Sequence, residues 1–424
     1  MTGKNMRLMI VGINYAPEII ATGVYTTGLA EFMAQEGVET DVVTAHPYYP
    51  AWRTFEGWRR PWWTRRQEND VNIVHCPIYV PANPTGLRRI LHYISFAATS
   101  LPILLWKALV RRPDIVVVIA PSIMIAPGAL AATRLSGASA WLHVQDYEVE
   151  AAFATGLLKE DSRIGRAAKA FEAWVLRRFD RASSISAPML RKLREKGVEE
   201  ARIMELRNWA NIKKVKPLTG PSPLKAELGI ETEHVALYSG NLANKQGLEV
   251  LPEMARQLAH RKDLTIAICG DGPMRETLQE LAADVPMIRF FPLQPIDRLS
   301  DLLGMADVHL LPQIAGAEEL VLPSKLTNML ASGRPVLATT SPETALGQEV
   351  EGAGVLVPAG DASAMAAALD GLLSAPEKRA ELGRVARERA LKRWDMTAIL
   401  SRLKKQFELE IASSTLGARN VDTK

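Results

Sequence analysis

The sequence predicts an α/β chain made of two Rossmann-like, doubly wound parallel-sheet domains facing across a cleft. Three observations carry this reading. Continuous apolar runs such as "DIVVVIAP" (Asp114–Pro121) suit strands buried on both faces, as in parallel sheets. Such runs alternate with helical stretches along the chain. The theme occurs twice, on either side of "KPLTGPSP" (Lys216–Pro223), whose three prolines read as an inter-domain linker.

The elements follow in order. Arg7–Gly12 is a β-rich run closed by glycine, Thr26–Glu36 is helical, and Thr40–Thr44 returns to strand. Asn72–Cys76, Ile115–Ala120, Ala138–Val144 and Ala182–Ser186 complete the first sheet. After the linker, His234–Ser239, Leu264–Cys269, Met287–Phe291, Asp307–Pro312, Pro335–Ala338 and Gly354–Val357 form the second. Met274–Ala283 and Lys325–Ala331 are helices between them, and Asp361 to about Ile411 is helical and rich in Ala, Leu, Arg and Glu. The expected domains are residues 1–215 and 216–390, then a helix over 391–413 and a disordered tail over 414–424.

Composition narrows the class. With 424 residues, 47% hydrophobic and 23% charged, the chain reads as a globular enzyme, not a collagen, a coiled coil or a disordered protein. Its net charge of +4 is too small to imply nucleic acid. Cys76 and Cys269 make neither a disulfide framework nor a CxxC zinc site, and read as buried thiols of a reducing compartment. No signal peptide is expected, since Leu8–Ile13 reads as a strand. Ile90–Trp106 is 17 residues without a charge, bracketed by Arg88, Arg89, Lys107, Arg111 and Arg112. A span needs roughly 20 apolar residues, so two readings stay open: a helix lying on an anionic membrane, or one packed on a sheet.

Four glycine-bearing motifs sit where strands end. "VGINYAPEIIATGVYTTGLAEFM" (Val11–Met33) places Gly23 at a helix start, where an anion is favoured or where the turn is simply tight. "YSGNLANKQGLEVLPEMA" (Tyr238–Ala255) sets Lys245 on a glycine loop, as a diphosphate requires. "CGDGP" (Cys269–Pro273) is a turn that a flat ring can approach, and no dinucleotide fingerprint is present. "LPSKLTNMLASGRPVLAT" (Leu322–Thr339) puts Ser324 and Lys325 in the first turn of a helix, an anion site.

This ordered set, with "FFPLQP" and "ADVHLLP" between, resembles the GT-B-fold, family-4-type retaining glycosyltransferases from Met6 to about Phe407. "NYAPEIIATGVYTTGLAEFMAQEGVETDVVTAHPYYPAW" and "LHVQDYEVE" are similar to the fucosyl- and amino-deoxyhexosyl-transferases of colanic-acid-type exopolysaccharide assembly. The resemblance implies a sugar moved from a nucleotide diphosphate (GDP-fucose or a UDP-amino-deoxyhexose) to an undecaprenyl-diphosphate-linked saccharide. It implies an enzyme peripheral on the cytoplasmic face of the inner membrane, and a last helix crossing back to the first domain. It places Gly23 near the donor phosphate, His143 at the donor sugar, Lys245 on the diphosphate, Gly272 and Leu293 near the base, and Ser324 and Lys325 around the phosphates.

The sequence departs from the family pattern twice. Asn241 stands where a loop arginine is usual. The Glu-x7-Glu pair is broken, with Asn328 at its second position and Leu320 at its first, so Glu319 serves the sugar only with a one-residue shift. No Asp-x-Asp occurs, which favours cationic side chains over a metal, so no cofactor is expected. "VQDYEVE" offers Asp146 and Glu148, either orienting His143 or an acceptor hydroxyl, or capping the next helix. His143 itself is read as a ligand or as a core histidine, and His46 as an acceptor contact.

"AWRTFEGWRRPWWTRR" (Ala51–Arg66) holds Trp52, Trp58, Trp62 and Trp63 interleaved with five arginines. That mix suits a bilayer interface and a polyprenyl-diphosphate acceptor, a docked loop, or single-stranded nucleic acid, which no accompanying module supports. Two rivals to the transferase are a sugar-nucleotide epimerase on the same architecture and a non-catalytic membrane scaffold that binds nucleotide sugar.

Overall fold

A computed structural model describes residues 6–18, 22–154, 158–210, 212, 215–243, 246–314 and 324–421. The chain forms two compact units, Met1–Arg207 with Leu400–Lys424, and Asn208–Ile399. Each is a parallel sheet flanked by helices.

The first unit carries eight strands: β1 (Arg7–Gly12), β2 (Glu39–Ala45), β3 (Thr64–Glu68), β4 (Val71–Cys76), β5 (Ile115–Ala120), β6 (Ser139–Val144), β7 (Arg181–Ser184) and β8 (Ile203–Glu205). Their order is β3-β4-β2-β1-β5-β6-β7-β8. All pairs are parallel except β3–β4. Val11 of β1 lies between Val43 and Val118, so three Val/Ile-rich strands form the centre. All six residues of β5 are buried, as its unbroken apolar run requires. The sequence reading missed β3 and β8. The "TRRQE" of β3 has no apolar face, and such charge belongs on an edge strand.

α1 (Thr22–Gln35), α2 (Gly86–Val110) and α3 (Ala126–Ser136) follow β1, β4 and β5. α2 has 25 residues, longer than the 17-residue stretch read from the sequence. Its buried positions are His92, Phe96, Ser100, Ile103, Leu104, Lys107 and Ala108, one stripe at helical spacing. That stripe docks on α3 and the sheet, and buried Lys107 pairs with Asp41 of β2 at 2.5 Å. The opposite stripe is exposed and apolar: Leu87, Leu91, Ile94, Leu101 and Leu109. By length and composition α2 suffices to cross a membrane, and both faces just described are compatible with lying on one.

The second unit carries six strands: β9 (His234–Ser239), β10 (Leu264–Cys269), β11 (Ile288–Phe291), β12 (Val308–Leu311), β13 (Val336–Thr339) and β14 (Gly354–Val357). The order is β11-β10-β9-β12-β13-β14, all parallel. The unit boundary lies ahead of the proline-rich segment. That segment is a strap on the second unit: Lys216 N–H donates to Ser300 Oγ (3.2 Å) and Ser222 Oγ to the Asp301 carbonyl (2.7 Å). Its prolines stiffen a packed stretch, so composition alone placed the boundary too late. The C-terminal helix runs Met396–Val421, into the stretch expected to be disordered. Asp395 caps its start by accepting from Ala398 N–H at 2.8 Å. Between there and Val421 there is no proline, and Gly417 is the one glycine.

Candidate active site

In open parallel sheets, ligands bind at the carboxyl ends of the strands, at the point where strand order reverses. The first sheet reverses between β1 and β5, the second between β9 and β12. The motif loops lie at these ends.

In the second unit the loops after β9 and β10 touch backbone to backbone. Gly240 N–H donates to the Cys269 carbonyl (3.0 Å) and Leu242 N–H to the Asp271 carbonyl (2.9 Å). A Cβ on Gly270 would sit 1.9 Å from the Gly240 oxygen, and one on Gly272 2.6 Å from Asn241 Oδ1. Gly272 also has φ 151°, so glycine is required on two counts. Arg275 donates to the Gly270 carbonyl at 2.5 Å and fixes the turn.

Lys325 enters this corner from the helix Ser324–Ala331. Its Nζ donates to Tyr238 Oη (3.0 Å) and Gln246 Oε1 (2.9 Å) and lies 4.1 Å from the Tyr238 ring centre. No carboxylate pairs with it among the described residues, and desolvation lowers its pKa to about 7. Asn328, one turn on, is half-buried. Asn241, Gly272 and Lys325 are thus brought together, whereas Leu293 stands 68% exposed beyond β11. Lys245, Glu319 and the Ser324 side chain lie outside the described residues. Tyr238 and Gln246 were missed, although both lie inside the quoted "YSGNLANKQGLE" motif.

In the first unit buried carboxylates organise the loops. Glu18 Oε1 accepts from Tyr48 N–H (2.7 Å) and Tyr49 N–H (2.8 Å), and its Oε2 from Asn14 Nδ2 (2.7 Å). Gly23 opens α1 tightly against the same residue's backbone, since a Cβ there would lie 3.2 Å from the Glu18 carbonyl oxygen. Glu148 accepts from Ser122 N–H (2.7 Å) and Ile123 N–H (2.8 Å) after β5, where Ser122 has φ 86°. Burial raises both carboxyl pKa values, and these hydrogen bonds oppose it. Glu148 is therefore a loop anchor rather than a partner of His143.

His143 carries two readings, ligand or core histidine, and the structure gives its surroundings. Side chains alternate along β6: Leu142 and Val144 belong to the core that includes residues of α2 and α3, while Trp141 meets Phe407 of the C-terminal helix at 5.0 Å. His143 shares the Trp141 side, is 3% exposed, and contacts Ser183 Oγ through Nδ1 at 3.0 Å. Desolvation lowers its pKa to about 4, so it is a neutral histidine whose Nδ1 is held by Ser183. Asp146, by contrast, is exposed just beyond the same strand.

His46 and Trp58 line a cavity of about 530 Å³ with Trp52, Arg53, Arg59 and Arg60. Trp58 is buried, packed on His75 (4.4 Å) and under Arg66 (4.1 Å), so it is not an interface ring; Trp62 and Trp63 are exposed. Desolvation, reinforced by Arg60, lowers the His46 pKa against nearby backbone groups of Trp62 and His75. Among the described residues, the one trio with metal-ligand spacing is Glu233, His234 and Asp263, at the opposite, amino end of β9 and β10.

Residues 21–209 match the model of the "Glycosyl transferase 4-like domain", and residues 223–389 that of "Glycosyl transferases group 1". The chain is 37% identical over 406 residues to "Putative colanic acid biosynthesis glycosyl transferase WcaI" of Escherichia coli (strain K12), covering 93% of this chain and 98% of that one. The chain belongs to the family-4-type GT-B glycosyltransferases. Solved structures agree on the fold. Sucrose-phosphate synthase from Thermosynechococcus elongatus superposes with TM-score 0.73 at 16% identity, over 96% of this chain and 100% of that one. Anabaena Alr3699/HepE in complex with UDP-glucose gives 0.67 at 13%, over 95% and 100%. The glycine-loop corner of the second unit and the carboxylate-braced loops of the first are therefore parts of a glycosyltransferase.

Proposed function

We propose that this glycosyltransferase moves a sugar from a nucleotide diphosphate, held by the second unit, to an undecaprenyl-diphosphate-linked saccharide in exopolysaccharide assembly. The observation that carries the donor site is Lys325, a buried amine among glycine loops with no carboxylate partner among the described residues. Glycosyl transfer builds charge on the leaving diphosphate, and a preorganised cation stabilises it where it develops. The departing phosphate then takes the acceptor's proton, with retention and without a metal. GDP-fucose or a UDP-linked amino-deoxyhexose is the donor class that the WcaI-like sequence favours.

The enzyme works from the cytoplasmic face of the inner membrane. The exposed apolar stripe of α2 and the neighbouring Trp62 and Trp63 support this, with Trp63 Nε1 donating to the Thr99 carbonyl of α2 at 2.8 Å. A thermal-shift screen against GDP, UDP, TDP and their sugars, with and without EDTA, tests the donor half. One diphosphate class should stabilise the protein by about 2.7 kcal/mol at a hundredfold excess over Kd, EDTA making no difference. A shift abolished by EDTA sinks the metal-free reading, and none with any diphosphate sinks the donor site.

A further inference from the structure

The cavity of the first unit has chemistry that neither the fold nor the donor site uses. It lies beside the carboxyl ends of β2 and β4, away from the β1/β5 reversal. Arg53, Arg59 and Arg60 line it, and none of them makes an ion pair among the described residues, whereas Arg66 nearby pairs with Glu68. His46 Nε2 is buried there without a hydrogen-bond partner. Three guanidinium groups around one concavity, with no ion pair among the described residues, have the chemistry to bind a multiply charged oxyanion.

The wall of this cavity is α2 itself. Ser95 and Thr99 line it and staple the segment after β4: Ser95 Oγ accepts from Tyr79 N–H (2.9 Å), and Thr99 Oγ1 donates to the Pro77 carbonyl (2.7 Å). Around the same helix lie exposed Leu91, Ile94 and Leu101. A concavity rimmed by exposed arginines thus adjoins an exposed apolar strip. A flat anionic surface has no need of a recess, and a soluble phosphate has no need of the strip.

We propose that this cavity seats the phosphate group of an amphiphilic acceptor, Arg53, Arg59 and Arg60 binding the phosphoryl oxygens while the lipid chain follows the exposed face of α2. The proposal rests on the transferase reading only in calling that lipid the acceptor.

Titration calorimetry of the full chain with farnesyl diphosphate, inorganic diphosphate and farnesol tests it. Farnesyl diphosphate should bind more tightly than either half alone. The R53A/R59A/R60A variant should lose at least about tenfold in affinity for it. The same variant should keep its affinity for the nucleotide diphosphate, which shows that it is folded. Equal binding of farnesyl diphosphate by variant and parent overturns the proposal, as does binding no tighter than farnesol. So does a variant that loses only its partition onto anionic phosphatidylglycerol vesicles, for then the arginines serve bulk lipid. A parent that transfers no sugar, with farnesyl diphosphate binding still lost in the variant, removes the transferase reading and leaves the phosphate site standing.

Discussion

The two units solve one problem, holding loops at the carboxyl end of a parallel sheet, by opposite chemistry. The first braces its loops with buried carboxylates, Glu18 on Tyr48 and Tyr49, Glu148 on Ser122 and Ile123. The second relies on backbone packing: it presses Gly270 and Gly272 onto the backbone of Gly240–Leu242, and the exposed Asp271 braces only its own turn, accepting from Gly272 N–H at 2.9 Å. The difference bears on charge, since the first unit's bracing carboxylates point into its loops whereas Asp271 stands exposed. A carboxylate beside a diphosphate repels it by several kcal/mol in a low-dielectric corner, whereas bare backbone presents N–H groups at close range. The unit with the glycine contacts and Lys325 is thus the one fit for an anion at its reversal point. The first unit keeps three arginines that make no ion pair among the described residues in a cavity next to one of those braces, Arg53 N–H donating to the Tyr48 carbonyl at 3.3 Å.

The largest way to break this comparison is Gly270→Ala. Its Cβ would meet the Gly240 oxygen at 1.9 Å, and two backbones have no side chain to swing aside. We expect a destabilisation of about 3 kcal/mol or more by urea unfolding, together with loss of the thermal shift on adding nucleotide diphosphate. A variant matching the parent in both would show that the loops are not in contact.

Lys325 sharpens it further. With a free-state pKa of about 7, the amine is increasingly neutral above that pH, and a bound diphosphate draws it back to the charged form. Binding then takes up a proton, so donor affinity is flat below about 7 and falls by up to about tenfold per pH unit above it. Lys325→Arg keeps its charge throughout, so it should bind with a flat profile, though with altered geometry. The decisive observation is calorimetric affinity from pH 6 to 9; an unchanged slope in the arginine variant rejects Lys325 as the diphosphate cation.

Glu148→Gln probes the first unit's brace. One amide oxygen replaces two carboxylate oxygens, leaving Ser122 N–H or Ile123 N–H facing an N–H₂ group. The expected cost is about 1–3 kcal/mol in denaturant midpoint, with nucleotide-diphosphate affinity preserved because that site lies in the other unit. Loss of that affinity would contradict the division of labour.

What the sequence made legible follows the same division. The second unit's site is local: Tyr238, Gly240, Asn241 and Gln246 fall within nine residues, and glycines announce close backbone approach wherever they must. The first unit's braces are long-range. Glu18 finds its partners 30 and 31 residues on, Glu148 reaches back 26, and no spacing rule links them. The surroundings of His143 were illegible for a related reason. A strand buried on both faces has no polar side to show which way a residue points, so the phase of β6 emerges only from packing on Phe407. β3 escaped because its pairing with β4, not its own residues, makes it a strand.

The smallest effect isolates what glycine does at the second unit's site. Gly371 lies in the same unit, inside the helix Ala362–Leu373, and a Cβ there meets nothing within 4 Å. Its only consequence is backbone freedom in the unfolded chain, which alanine removes. Gly371→Ala should therefore stabilise by about 0.5–1 kcal/mol, a rise of roughly 2 °C in Tm, and leave donor binding untouched. The same substitution at Gly270 carries the opposite sign and several times the size. If both positions respond alike, the glycines of the motif act through chain entropy rather than contact, and the backbone-on-backbone account of the donor corner fails with them.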